Sequence, residues 1–175
     1  MTTYKAISLW QPHAHLIGIG AKPYETRSWT TRYRGPVAIH AGKNQEEIAG
    51  MQQRIKNFKA LSVWTEELRG NTFLWEMAKA VSEWGKAHEM DAFRWKDFAF
   101  GAVVAIGELT EIYATRDLHL EGVAALFGDF APGRYAWKIG NVQILKTPYT
   151  LRGQQGLWDL PPHITDDLLS AEKWA

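Results

Sequence analysis

Apolar and polar positions change their period several times along the chain, and each change marks an element. Residues 5–10 alternate, with Ala6, Ser8 and Trp10 on one side and Lys5, Ile7 and Leu9 on the other, which predicts a strand. Residues 11–20 place Pro12 at a first helical turn, continue with Leu16 and Ile17, and end in Gly18 and Gly20. That is a short helix closed by glycine. Residues 24–30 alternate again, with Glu25, Arg27 and Trp29 on one face. Arg34-Gly35-Pro36 reads as a turn, and residues 37–41 as an apolar strand running into Gly42 and Lys43.

Residues 44–98 have a different texture. Ile48, Met51 and Ile55 form one helical stripe, and Phe73, Leu74, Met77, Val81 and Trp84 form a second, capped at Asn71 or Thr72. The segment lies between strands and reads as a helical insertion. Its tryptophans, Trp64, Trp75, Trp84 and Trp95, suit helix packing. Strand alternation returns at 101–113, where Val104, Ile106 and Glu108 share a face. A short helix is predicted over 117–127 with Asp117 as its cap. Residues 134–145 hold one or two strands, interrupted at the hairpin-like pair Gly140-Asn141. A last strand spans 149–160, broken at Gly153 and Gly156, and Thr165 caps a C-terminal helix. About six strands without regularly alternating helices predict an α+β fold or small β-barrel, not a doubly wound sheet. The whole of 1–175 is expected to be one domain carrying the insertion.

Composition narrows the chemistry. The chain has no cysteine, which excludes thiol nucleophiles, disulfides and thiolate metal sites. No signal-peptide core and no apolar run of about 20 residues is present, so a cytoplasmic protein without a membrane span is expected. Net charge is only +1, which does not suggest a globally basic binder. Its distribution is uneven: residues 1–43 carry +5, residues 44–100 −1, and residues 101–175 −3. A local basic patch can steer an anionic ligand to an otherwise neutral protein.

Three groups could carry chemistry. In Lys22-Pro23-Tyr24-Glu25-Thr26-Arg27, a carboxylate and a guanidinium two apart on a strand point the same way. They can frame a ligand edge with an acceptor and a donor. The simpler reading on spacing alone is an exposed ion pair. Glu108, on an apolar strand, needs a partner such as Lys22 or Arg27, or else faces water. The glycines of Arg152-Gly153-Gln154-Gln155-Gly156 let a backbone approach a ligand or bend at a barrel corner. His40 at a strand end is a further ligand contact or an ordinary hydrogen-bonding residue. His13 and His15 form an HxH pair without a nearby third ligand, so no metal or other cofactor is expected.

These segments together resemble the ASCH domain family. The carriers are Ala6-Ile7-Ser8-Leu9-Trp10-Gln11-Pro12, the run from Tyr33 through Arg34-Gly35-Pro36 to His40-Ala41, and above all a GxKxxExR motif at Gly20, Lys22, Glu25 and Arg27. Gly133-Arg134-Tyr135-Ala136-Trp137 and the 152–158 segment resemble bacterial and phage members. The resemblance covers residues 4–43 and 101–160. It implies a PUA-like β-barrel with a cleft beside the first helix, and a role with RNA, single-stranded DNA or a modified nucleoside. Lys22 and Arg27 would hold phosphate or a base acceptor, Glu25 would accept from a base amine, and Trp10, Trp29 or Trp137 would stack a base. His40, Lys43 and Arg152 complete the implied nucleic-acid-binding set. The family also contains ribonucleases and small amidohydrolases that deacetylate a modified cytidine. The latter use a lysine, a threonine and a glutamate. Lys22 matches the lysine and Glu108 is a candidate for the acid, but the threonine position is Glu25. An enzyme is therefore the alternative reading, with Lys22, Glu25 and Glu108 as its catalytic candidates.

Overall fold

The structure is a computed structural model, and residues 4–46, 73, 75–77, 79, 80, 83 and 98–168 are described. Six strands lie among the described residues: β1 (Lys5–Leu9), β2 (Tyr24–Arg27), β3 (Gly35–Ala41), β4 (Ala102–Ala114), β5 (Tyr135–Thr150) and β6 (Leu157–Asp159). The described helices with defined ends are α1 (His13–Gly18), α2 (Val123–Leu126) and α3 (Pro162–Leu168), with a 3₁₀ turn at Thr115–Asp117. Phe73, Trp75–Met77, Lys79, Ala80 and Glu83 are helical as the stripe predicts. The remainder of the expected insertion, including Trp64, Trp84 and Trp95, lies outside the described residues.

The strands form one sheet in the order β2-β5-β4-β3-β1-β6. All pairings are antiparallel except β1 with β3, which run parallel from Lys5↔Val37 to Leu9↔Ala41. The sheet curls. Arg27 on the edge strand β2 donates from Nη2 to the Ser8 carbonyl of β1 at 2.9 Å, although three strands separate β2 from β1 in the sheet. This is the expected α+β architecture.

Both faces of the sheet are buried. Ile7, Leu9, Val37, Ile39, Val104, Leu109 and Trp137 pack with Ala14 and Ile17 of α1. On the other face, Ala6, Ala38, Val103, Ile106 and Trp158 pack with Ile164 and Leu168 of α3. The alternation in β1 thus divides as its sequence predicts, with Ile7 and Leu9 on one face and Ala6 on the other. A third cluster joins Leu16 of α1 to Met77, Phe98 and Phe127, with Phe73 and Trp75 partly buried against it. Trp75 is packing material, as expected.

Three local expectations are corrected. Gly140-Asn141 does not end a strand or turn a hairpin. β5 runs through it, and the register against β4 shifts between Ile106↔Gln143 and Glu108↔Gly140. Asn141 has φ 50, a left-handed conformation that asparagine tolerates, so the pair forms a β-bulge. The helix expected over 117–127 is split into the 3₁₀ turn and α2, because Gly122 at φ 70 interrupts the backbone between them. Thr165 does not cap α3. Pro162 occupies its first position, where a missing N–H costs nothing, and Thr165 is buried inside the helix.

No helix among the described residues is long and apolar enough to cross a membrane.

Candidate functional site

Each residue of the GxKxxExR motif has a physical task. Gly20, at φ 77, turns the chain in a conformation that other residues rarely adopt, and its N–H bonds the Ile17 carbonyl at the end of α1. The Lys22 N–H returns to the Leu16 carbonyl at 2.9 Å, tying the next residue to the helix. The Pro23 carbonyl accepts from Ile139, which starts β2 alongside β5. Glu25 then stands opposite Trp137 and Arg27 opposite Tyr135.

The result is a chain of charges that is buried at Lys22 and Glu25 and a quarter exposed at Arg27. Lys22 is 3% exposed, and its ammonium donates to the Phe127 carbonyl. Lys22 Nζ lies 3.4 Å from Glu25 Oε2, and Arg27 Nε lies 3.1 Å from Glu25 Oε1. One buried carboxylate is held between two cations, and the second cation also closes the sheet through Ser8. This is not the exposed ion pair that spacing alone suggests. Burial strips water from the lysine and the glutamate alike, and such a pair persists only where its charges and hydrogen bonds are matched.

Beside these groups lies an open cavity of about 370 Å³, lined by His13, Lys22, Glu25, Thr26 and residues 126–129. Its far wall is the turn after α2. The Asp129 N–H donates to Thr26 Oγ1 at 3.1 Å. Gly128 has no room for a side chain, since a Cβ there would fall 2.6 Å from the Phe130 ring and 3.1 Å from Thr26 Cγ2. The sequence does not single this wall out. Its only signal was Gly128-Asp129 following an apolar stretch, a pattern that marks many turns. Thr26 alternates with Glu25 along β2, yet the turn folds back far enough to bring both to the cavity.

The other predicted residues divide into two groups. Glu108 is separate from the cavity: its carboxylate accepts from Asn141 Nδ2 at 3.0 Å, so neither Lys22 nor Arg27 serves as its partner. Trp137 is fully buried, packed edge-on against Trp29 at 4.6 Å between centroids, and donates to the Trp29 carbonyl. It has no open face for a base, and half-buried Trp29 is held against the core by the same contact. Trp10, in contrast, is 58% exposed.

His40, Lys43 and Arg152 gather in a second, larger groove of about 820 Å³, together with Ser8, Gln154 and Gln155. His40 Nε2 lies 2.9 Å from the Leu151 carbonyl. Burial holds its pKa below the ordinary histidine value, against the opposing pull of that carbonyl. Among the described residues no cluster of His, Asp and Glu could hold a metal ion.

A comparison with curated proteins finds no match. Among solved structures, the chain is similar to a point mutant of ZmASCH from Zymomonas mobilis. The two are 14% identical, the alignment covers 99% of this chain and 100% of that one, and the TM-score is 0.50, a likeness of fold. The profile of the ASCH domain matches residues 7–110, which takes in the motif, β2, β3 and most of β1 and β4. The chain therefore belongs to the ASCH domain family.

Proposed function

We propose that this ASCH domain binds single-stranded nucleic acid by taking one unpaired or modified base into the cavity beside Lys22 and Glu25. The observation that carries the reading is the buried Lys22–Glu25 pair at the cavity wall, with Arg27 on the other oxygen of the carboxylate. A carboxylate fixed between two cations is an oriented acceptor for an exocyclic amine, and the neighbouring ammonium is an oriented donor for a ring carbonyl. About 370 Å³ lies at the lower end of small-ligand pockets, about 300–1,000 Å³, which suits one nucleoside and not a stack of bases. Unpaired bases are the form in which such edges are available.

The test is fluorescence anisotropy with labelled single-stranded RNA and DNA hexamers, run on the wild type, Lys22→Met and Glu25→Gln. Thermal melts accompany each variant to report folding. We expect saturable binding that weakens at least tenfold in both folded variants. Equal affinity in wild type and both variants would overturn the reading.

A second reading has one specific observation behind it. Thr26 lines the same cavity as Lys22, so a lysine and a hydroxyl-bearing residue share one site even though Glu25 occupies the position expected for threonine. Hydrolysis of an acetylated cytidine, followed by product chromatography and lost in Thr26→Val, would support it. Cleavage of the RNA hexamer in the same assay would identify a ribonuclease instead.

A further inference from the structure

The larger groove has a composition that calls for an anion. Lys43 and Arg152 are exposed on its walls, and neither meets a carboxylate within ion-pair distance among the described residues. Among the described residues no Asp or Glu lines it; the remaining polar lining includes Ser8, Gln154 and Gln155. Lys43 is held in place, since its side chain lies across Gly101. A Cβ at Gly101 would fall 2.8 Å from Lys43 Cε, and the glycine has φ 62.

The floor carries an unused polar atom. His40 is 2% exposed, and its Nδ1 is buried without a hydrogen-bond partner. Because a carbonyl can only accept, the contact to Leu151 places the proton of the neutral ring on Nε2. Nδ1 is left as an acceptor enclosed beside Gly153, so the cationic character of the groove comes from Lys43 and Arg152 and not from His40.

A chain of contacts links the groove to the base cavity. Glu25 lines the cavity and pairs with Arg27; Arg27 donates to the Ser8 carbonyl; Ser8 lines the groove and donates from Oγ to the Gln154 carbonyl. Trp10 borders the groove. It lies three residues before His13 of the cavity, and its Cδ1 is 3.6 Å from where a Cβ on Gly42 of the groove would sit.

We infer that this groove holds the phosphodiester backbone flanking the base taken by the cavity, with Lys43 and Arg152 on the phosphates and Trp10 stacked on the adjoining base. The inference rests on the base-binding reading above, and adds to it a second subsite that extends the ligand from one nucleoside to a short strand. Two phosphate contacts on single-stranded nucleic acid give a salt dependence of about 0.7 per contact in the log–log slope. An exposed aromatic platform adds affinity without base preference.

The test compares a mononucleoside, a dinucleotide and a hexamer on the wild type, Lys43→Gln/Arg152→Gln, Trp10→Ala and Lys22→Met. Isothermal calorimetry measures the nucleoside, and anisotropy at several salt concentrations measures the others. The expected result is a hexamer affinity at least tenfold weaker in the groove double variant, with a shallower salt slope and unchanged nucleoside affinity. Trp10→Ala should weaken the dinucleotide and hexamer alone. If Lys22→Met loses hexamer binding and the groove variants match the wild type, the groove inference is overturned and the cavity reading stands. If the groove variants lose binding and Lys22→Met does not, the groove binds strands and the cavity reading fails. Absence of binding to every oligonucleotide would overturn both.

Discussion

Gly153 shows how closely the groove is built around one residue. A Cβ there would stand 2.3 Å from His40 Cε1, 2.6 Å from His40 Nδ1 and 2.7 Å from Ser8 Oγ. None of these can retreat easily, because the His40 ring is buried and tied to Leu151 and Ser8 is tied to Gln154. Gly153→Ala is expected to destabilise the protein by about 1–3 kcal/mol, the usual cost of overpacking, read as a lower midpoint in thermal melts. His15 supplies a residue-scale effect of pH. It is 8% exposed, packs edge-on against Phe98, and burial lowers its pKa to about 4. The unfolded chain takes up this proton near pH 6.5, while the folded protein resists until about pH 4. The unfolded state therefore binds more protons across that window, and stability falls as pH falls through it. The full loss from this one group is on the order of 3 kcal/mol. Urea titrations at pH 7, 5.5 and 4.5 should show a shallower decline in His15→Gln than in the wild type. Identical declines would assign the acid sensitivity elsewhere.

At the scale of elements, legibility follows sequence distance. Gly20, Lys22, Glu25 and Arg27 lie on one turn and one strand, so their spacing already fixes their mutual geometry, and the motif could be read directly. Trp137 and Glu108 could not be placed this way. Which residues they meet depends on how β4 and β5 pair, and that pairing shifts register in three places. The bulge at Asn141 is the clearest case. Gly140-Asn141 is a sound turn signal, but the long pairing of β5 with β4 on both sides of it overrides a reversal, and the same left-handed residue is used to offset the strand. Asn141 then turns its side chain to Glu108 and takes the partner role for which the sequence alone nominated a cation. Asn141→Val should cost about 1–2 kcal/mol, since a branched residue is strained at φ 50, whereas Asn141→Gly should cost less. Chemical denaturation of the two variants beside the wild type checks the order.

At the scale of the whole molecule, the fold class was legible because strand-like segments outnumber helices and are not regularly separated by them. The division of the candidate polar residues into a cavity and a groove was not. His40 and Leu151 are separated by 111 positions, and Arg27 and Ser8 meet only because the sheet curls. The curl also sets an order in time. β1 is an interior strand: β3 borders it on one side, and β6 on the other, where Lys5 reaches Asp159 across 154 positions. During synthesis, β1 can find its parallel neighbour as soon as residues 37–41 emerge, but its second edge must wait until nearly the whole described chain has been made. Closing so long a loop is entropically slow, and an unpaired edge is adhesive while it waits. On this order of emergence β1 has only one edge available for pairing until the short strand β6, three residues long, reaches the other.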